Sequence, residues 1–222
     1  MDEWLAYDLL NKGILMFSTK GRGTWECNAH RAFPEAPLAP FRLRMSHLAS
    51  FPELHARVGI AYAETIRKGD TGIDRLAYLS SIMAPTAGIV SVRMSLPMLF
   101  SKHDGTRWKL QGEWNAHDRV GILDHVRMTD DAKITAFHQL KTYGATTSAF
   151  FVLIDFGASH AAIRGCPVVS VFRWWEMLSL LYQKGMISEQ AYDASAAYHE
   201  DLHDYIRHLR PMPCYPHLIR AG

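Results

Sequence analysis

The stretch VGILDHVRMTDDA, residues 120–132, decides the fold. Its apolar start, 120–123, predicts a buried strand that ends in the acid Asp124. Residues 131–143 then show helical spacing and are followed by Gly144, a residue typical of helix ends. The apolar run 146–154 predicts the next strand. Strand, helix and strand in this order form a βαβ unit, which indicates parallel strands joined by a right-handed crossover.

The same alternation extends along the chain in both directions. Helical spacing of apolar residues predicts further helices at 2–11, 52–68, 174–183 and 188–209. Short apolar runs predict further strands at 14–17, 76–83, 96–100 and 167–172. Proline, glycine and polar residues predict loops at 29–40, 84–88 and 101–115. We therefore predict an α/β protein with a mostly parallel central sheet, and we expect ligands to bind at the carboxyl ends of its strands, in the loops after Met83, Leu123 and Ile154.

Composition excludes several classes of function. The 222 residues are 48% hydrophobic, enough for one well-filled core. Lys and Arg number 24 against 22 Asp and Glu, so charge gives no reason to expect nucleic acid as the main partner. Cys27, Cys166 and Cys214 lie far apart, which favours reduced thiols over disulfides or a cysteine-rich zinc site. Without a signal-peptide pattern or an apolar run of about 20 residues, we expect a cytoplasmic protein that does not enter a membrane.

Short segments spread along the chain carry a resemblance to a known family. They are FSTKGR at 17–22, the loop ending in AGI at 87–89, KHDG at 102–105, HDRV at 117–120 leading to Asp124, and GCPV at 165–168 leading into the helix from Trp174. Each segment alone is unspecific. In order and spacing they resemble the orotate phosphoribosyltransferases over about residues 2–187.

The resemblance implies a type I phosphoribosyltransferase fold, with a mostly parallel central sheet flanked by helices. It implies an α/β domain over 1–187, of which 1–45 form a small hood. The residues themselves predict the rest, 188–222, as a C-terminal helix and then an extended tail over 210–222, where Pro211, Pro213 and Pro216 prevent regular helix. It also implies a homodimer in which a mobile loop reaches across the interface. An active enzyme of this family would use Mg²⁺ with phosphoribosyl pyrophosphate (PRPP).

The resemblance also implies roles for individual residues. Lys20 and Arg22 would approach the diphosphate of PRPP, and a loop would cradle pyrophosphate through Thr86, Ala87 and Gly88. The implied catalytic residues are Lys102 and His103 of the mobile loop and Asp124, which would hold the ribose hydroxyls. An acid at the end of a central strand is hard to explain by packing, which favours a functional role for Asp124.

The turn after residues 120–123 departs from the family pattern. The family has two adjacent acids and then a TTGTS-like turn, which binds the 5′-phosphate at a helix N-terminus. Here the substrate-binding positions hold His125, Thr129, Asp130 and Asp131. Each carboxylate there would repel a phosphate charge by about 4 kcal/mol at about 4 Å and an effective dielectric of about 20. The same carboxylates also suit a helix N-terminus, as an N-cap and a complement to the helix dipole.

These departures predict an orotate phosphoribosyltransferase-like protein that binds a ribose phosphate or nucleotide with weak or absent transferase activity and no cofactor. The alternative is an active, Mg²⁺-dependent transferase that joins PRPP and orotate, or another base, to give a nucleotide and pyrophosphate. Stabilisation of the protein by PRPP and Mg²⁺ would favour the alternative.

A motif near the C-terminus offers a hypothesis from another class. Residues 199–203, HEDLH, fit H-E-x-x-H, which on a helix places His199 and His203 on one face for Zn²⁺ and supplies a glutamate as general base of a metallohydrolase. Against it, the chain has 12 histidines, so the pattern can arise by chance, and no glutamate follows Glu200. The sequence favours a solvated helix face and leaves both histidines as weak metal candidates.

Overall fold

The computed structural model describes residues 2–19, 22–26, 34–103, 108–128, 130–157 and 162–209. Its contacts divide the chain into two compact units, one of residues 49–174 and one that joins residues 2–48 to the chain from Trp175 onward. Within the described ranges no helix is both long and apolar enough to cross a membrane.

The elements are numbered in chain order. The helices are α1 Glu3–Asn11, α2 Met45–Leu48, α3 Pro52–Gly69, α4 Ala84–Met94, α5 Asp131–Thr142, α6 Trp174–Gln183 and α7 Glu189–Leu209. The strands are β1 Leu15–Phe17, β2 Phe41–Leu43, β3 Arg75–Tyr78, β4 Phe100–His103, β5 Trp108–Gln111, β6 Arg119–Arg127, β7 Thr146–Asp155, β8 Ala162–Ile163 and β9 Cys166–Arg173.

A five-stranded sheet forms the centre of the first unit, in the order β3-β6-β7-β9-β8. The pairs β3/β6, β6/β7 and β7/β9 are parallel, and only the short β8 runs antiparallel to its neighbour β9. Strands β6 and β7 are mostly buried, as expected for the middle of a parallel sheet covered on both faces. The prediction of an α/β fold with a mostly parallel sheet is confirmed.

Helix ends follow the sequence signals. Helix α3 has Pro52 in its first turn, and Asp70 adopts a left-handed conformation, φ 41°, just after Gly69. Helix α5 spans almost all of the predicted 131–143, and Gly144 follows with φ 76°. Helix α6 has the predicted bounds of 174–183. These elements place the start of α5 directly after β6.

Two predicted loops are wrong. Residues 84–88 open helix α4, after a single 3₁₀ turn Ser81–Met83, so the strand predicted at 76–83 ends at Tyr78. Pro85 lies in the first helical turn, where a missing backbone N–H costs nothing. The loop predicted at 101–115 contains the antiparallel pair β4 and β5. Of the strand predicted at 96–100, only Phe100 belongs to β4, although Met98 forms an isolated parallel bridge to Leu76.

The second unit has its own local structure. Asp2 caps α1 by accepting a hydrogen bond from the Leu5 backbone N–H at 3.0 Å. Strands β1 and β2 pair antiparallel, and the edge of Phe41 contacts Tyr198 of α7. The tail predicted at 210–222 lies outside the described residues. The domain bounds 1–187 and 188–222 stay a prediction.

Candidate functional site

The candidate site lies where β6 and β7 end and α5 begins. The sequence predicted that the strand ends in Asp124, but β6 continues to Arg127, which pairs with Asp155 of β7. Asp124 therefore lies inside the strand, opposite Val152, and is only 8% exposed. Its main-chain oxygen accepts a hydrogen bond from the Tyr62 hydroxyl at 2.7 Å.

A buried lysine neutralises Asp124. Lys133 is the third residue of α5, in its first turn, and is 2% exposed. Its Nζ donates to Asp124 Oδ2 at 2.6 Å and to the main-chain oxygen of Val126 at 2.9 Å. Because both charged groups are buried away from water, each is stabilised mainly by the opposite charge of the other.

His125 contacts the other oxygen of the same carboxylate. Its backbone N–H donates to Asp124 Oδ1 at 2.8 Å, and its Nδ1 lies 3.0 Å from that oxygen. Burial pushes the pKa of Asp124 upward, but the Lys133 charge and these His125 contacts outweigh it and lower the pKa to about 2. Asp124 is therefore ionised at neutral pH, with both oxygens engaged.

A second buried cation holds the turn that follows. Arg127, whose side chain is 5% exposed, donates from Nε to Asp130 Oδ1 at 2.9 Å. Its Nη1 lies 3.7 Å from Asp155 Oδ2 at the end of β7. A side chain at Gly157 would start 2.8 Å from this Nη1, so the guanidinium would have to shift to admit one. Arg127 thus joins the ends of β6 and β7 to the start of α5.

The two acids at the start of α5 differ in their surroundings. Asp130 occupies the N-cap position, but its carboxylate is bound to Arg127 and does not cap the helix. Asp131 is exposed in the first turn, where its charge complements the helix dipole. The expected pair of carboxylates is present, and the Asp130 carboxylate is balanced by the protein itself.

Comparisons with known proteins agree with this architecture. No family model matches the chain. It is 26% identical over 168 residues to the bifunctional enzyme PyrF/PyrE of Nostoc sp., a match that covers 71% of this chain and 34% of that protein. It is 29% identical over 108 residues to the orotate phosphoribosyltransferase of Methanocaldococcus jannaschii, covering 47% of this chain and 60% of that one. The matches thus span about a third and three-fifths of these relatives.

The structural matches cover more of this chain than the two sequence matches do. The UMP synthase of Leishmania donovani superposes with a TM-score of 0.74 and 22% identity over 91% of this chain and 42% of its own. The orotate phosphoribosyltransferase of Aeropyrum pernix superposes with a TM-score of 0.65 and 19% identity over 83% of this chain and 99% of its own. The chain has the type I phosphoribosyltransferase fold. The resemblance to the orotate phosphoribosyltransferases is confirmed, at the low identity of a divergent relative.

In this phosphoribosyltransferase-like fold, the segment predicted to cradle pyrophosphate is the first part of α4. Thr86 is 1% exposed, and its Oγ1 shares a hydrogen bond with His55 Nε2 at 2.9 Å. Ala87 is fully buried, whereas Gly88 is partly exposed and has open space where a side chain would start. Helical geometry turns Thr86 and Ala87 inward, so Gly88 is the most accessible of the three.

The other predicted residues are only partly placed. Lys102 and His103 belong to β4, where their backbones pair with Lys109 and Trp108 of β5. Arg22 is exposed in the second unit and lines a cavity of about 380 Å³ with residues of α7. Lys20 and Thr129 lie outside the described residues. Their binding roles stay predictions.

The histidines of the HEDLH motif belong to α7. His199 is 7% exposed, and its ring meets Trp175 edge-on with the ring centroids 4.9 Å apart. The side chain of His203 lies outside the described part of the structure. Among the described side chains, no three His, Cys, Asp or Glu gather as a metal site would require.

Sequence reasoning missed the two cations of the site. Lys133, Ala136 and Leu140 share the buried face of α5. The helical spacing of Lys133 from these apolar residues could therefore have predicted a buried lysine. Arg127 gave no comparable signal, because the predicted strand ended before it. Its role follows only from the greater length of β6.

The strand-end carboxylates do not fit the Mg²⁺ that the fold family implies. Mg²⁺ takes carboxylate oxygens in near-ideal octahedral geometry. Asp124 is bound to Lys133 and His125, and Asp130 to Arg127. Asp155 accepts from the Gly157 N–H at 2.7 Å and faces the Arg127 guanidinium. Each of these acids already has an internal partner.

Proposed function

We propose that the chain is an orotate phosphoribosyltransferase-like protein that binds a ribose phosphate or nucleotide, with weak or absent transferase activity. The observation that supports this proposal most directly is the buried Asp124–Lys133 ion pair. A transferase needs groups that strengthen their contacts as the ribose becomes oxocarbenium-like. An Asp124 carboxylate already held by Lys133 and His125 has little capacity left for ribose hydroxyls.

The charges at the start of α5 support the same proposal. A helix N-terminus binds phosphate through backbone N–H groups and the helix dipole. Here the exposed Asp131 opposes an incoming phosphate, while the Arg127 guanidinium already faces Asp130 and Asp155. The expected result is modest affinity for a nucleotide and poor affinity for PRPP, which carries more negative charge.

The second candidate is an active transferase. It is favoured by the similarity of the chain to the orotate phosphoribosyltransferase of Methanocaldococcus jannaschii. Such an enzyme would consume orotate and PRPP with Mg²⁺ and form orotidine monophosphate. Lys133 would then have to leave Asp124 during each turnover.

A binding and turnover experiment separates the two candidates. Affinity for orotidine monophosphate and PRPP is measured by calorimetry, and orotate consumption is followed by absorbance with PRPP and Mg²⁺. We expect measurable binding of the nucleotide and no enzyme-dependent loss of orotate. Steady turnover would establish the active transferase, and absence of binding to every ribose phosphate would overturn both readings.

A matched pair of variants places the ligand. Asp131→Asn removes an exposed acid from the first turn of α5 and should tighten nucleotide binding about two- to five-fold. Glu189→Gln removes the corresponding acid from the first turn of α7 and should leave affinity unchanged. Equal effects of the two substitutions would indicate a general charge effect instead of a ligand at α5.

We also propose, from the resemblance alone, a cytoplasmic homodimer. Light scattering during size-exclusion chromatography should give about twice the chain mass of 25.2 kDa. A monomer at micromolar concentration would contradict the dimer.

A further inference from the structure

Lys133 is placed so that its ammonium group cannot easily leave Asp124. The side chain starts from the same buried face of α5 as Ala136 and Leu140 and is 2% exposed. Two of its three protons are donated to fixed acceptors, Asp124 Oδ2 and the Val126 main-chain oxygen. Moving the ammonium elsewhere would leave the Asp124 charge buried without its cation, which costs several kcal/mol.

The Asp124 carboxylate is also fixed, because both of its oxygens accept hydrogen bonds. Oδ2 accepts from Lys133, and Oδ1 accepts from the His125 backbone N–H. Tyr62 holds the main chain of the same residue through a buried hydrogen bond. A divalent cation at Asp124 would have to displace the lysine and shed part of its own tightly held water.

We propose that the Lys133 ammonium is a resident cation in the place of a divalent one, so that ligand binding at this site is independent of Mg²⁺. The inference rests on the proposed function for its ligand. It narrows the ligand class to ribose monophosphates, such as a nucleoside monophosphate, which do not need a metal to offset a diphosphate. PRPP and pyrophosphate, which bind as magnesium complexes in sites with available acids, are disfavoured.

The test compares the wild-type protein with Lys133→Met/Asp124→Asn. This double variant removes both buried charges at similar volume, a change that is often neutral for folding. Melting temperature is measured with Mg²⁺ and with a chelator, and affinity for orotidine monophosphate is measured under both conditions. We expect Mg²⁺ to change the affinity of the wild-type protein for the nucleotide by no more than about two-fold. We also expect Mg²⁺ to shift the melting temperature of the wild-type protein no more than it shifts that of the double variant.

Lys133→Met alone provides the positive control. Its unpaired Asp124 should acquire a response to Mg²⁺, seen as a higher melting temperature, and the double variant should lose that response. The wild-type protein and the double variant decide the question even if this single variant does not fold.

Two results separate failure of this inference from failure of the proposed function. A wild-type melting temperature or nucleotide affinity that rises with Mg²⁺, and does so only when Asp124 is present, would overturn the resident cation. Absence of nucleotide binding under all conditions would overturn the proposed function. In that case the effect of Mg²⁺ on the melting temperatures of the wild-type protein and the double variant would still test whether Lys133 replaces a divalent cation.

Discussion

At the scale of single residues, the site is governed by two buried cations, Lys133 and Arg127. The sequence identified the acids, Asp124 and Asp130, because acids near a strand end and a helix start are conspicuous. Their partners were not identified, because whether a charge is paired depends on where an amphipathic face points and on how far a strand extends. The predicted repulsion at α5 is accordingly reduced at Asp130 and retained at Asp131.

Lys133→Met should destabilise the fold by about 3–5 kcal/mol, because it leaves the Asp124 charge buried and unpaired. Adding Asp124→Asn should restore most of that loss, since the uncompensated charge disappears. Urea unfolding followed by circular dichroism gives both values. Additive losses in the double variant would show that the two residues do not act as a pair.

Arg127→Met should cost about 3–5 kcal/mol for the same reason, since it leaves the Asp130 and Asp155 carboxylates without the buried cation that they share. Arg119→Met is the control. Arg119 forms an ion pair of similar length with Asp74, but in an exposed position, so its removal should cost far less. Comparable losses of stability for the two variants would contradict the importance of burial.

At the scale of elements, the regular βαβ unit was predictable and the polar segments were not. Helices α5 and α6 and strand β7 lie within a residue or two of their predicted bounds, because apolar spacing and Gly144 determine them. Helix α4 was mistaken for a loop because Pro85 and Gly88 resemble breakers. Long-range packing of α4 on α3 outweighs these local signals.

Two glycines of this helix pair, Gly59 and Gly88, test that packing. A side chain at Gly59 of α3 would start 2.4 Å from Ile89 Cγ2 of α4, so Gly59→Ala should cost about 1–3 kcal/mol by forcing the helices apart. Gly88→Ala, in α4, meets no atom within 4 Å and should stabilise the helix by about 0.5–1 kcal/mol. Thermal unfolding measures both effects. A destabilising Gly88→Ala would indicate that this part of α4 is not helical in solution.

At the scale of the whole molecule, several lowered carboxyl pKa values act in the same direction. Hydrogen bonds from Arg119 lower the pKa of Asp74 to about 2, and those from Arg75 and Asn115 lower the pKa of Asp118. Lys133 and His125 outweigh burial and lower the pKa of Asp124 to about 2. Burial also lowers the pKa of His55, whose ordinary value is 6.5. In each case the unfolded chain binds protons more readily than the folded one.

Stability should therefore fall as the pH falls. A depressed carboxyl pKa contributes stability above its ordinary value of 3.8, and this is lost as the pH drops towards about 2, with Asp124 accounting for about 2 kcal/mol. His55 begins the loss earlier, below pH 6.5. Urea unfolding at a series of pH values between about 2 and 7 measures the profile. The Lys133→Met/Asp124→Asn variant should show a shallower decline at the acidic end, and an unchanged slope would contradict the Asp124 contribution.

The buried Asp124–Lys133 ion pair should also restrict how the two positions change during evolution. A lineage that changes either Lys133 or Asp124 alone passes through a protein with an orphaned charge in its interior, so the two positions should be exchanged together or kept together. Sequences descended from a common ancestor with this chain should accordingly show either both residues or two uncharged replacements, and seldom a mixture.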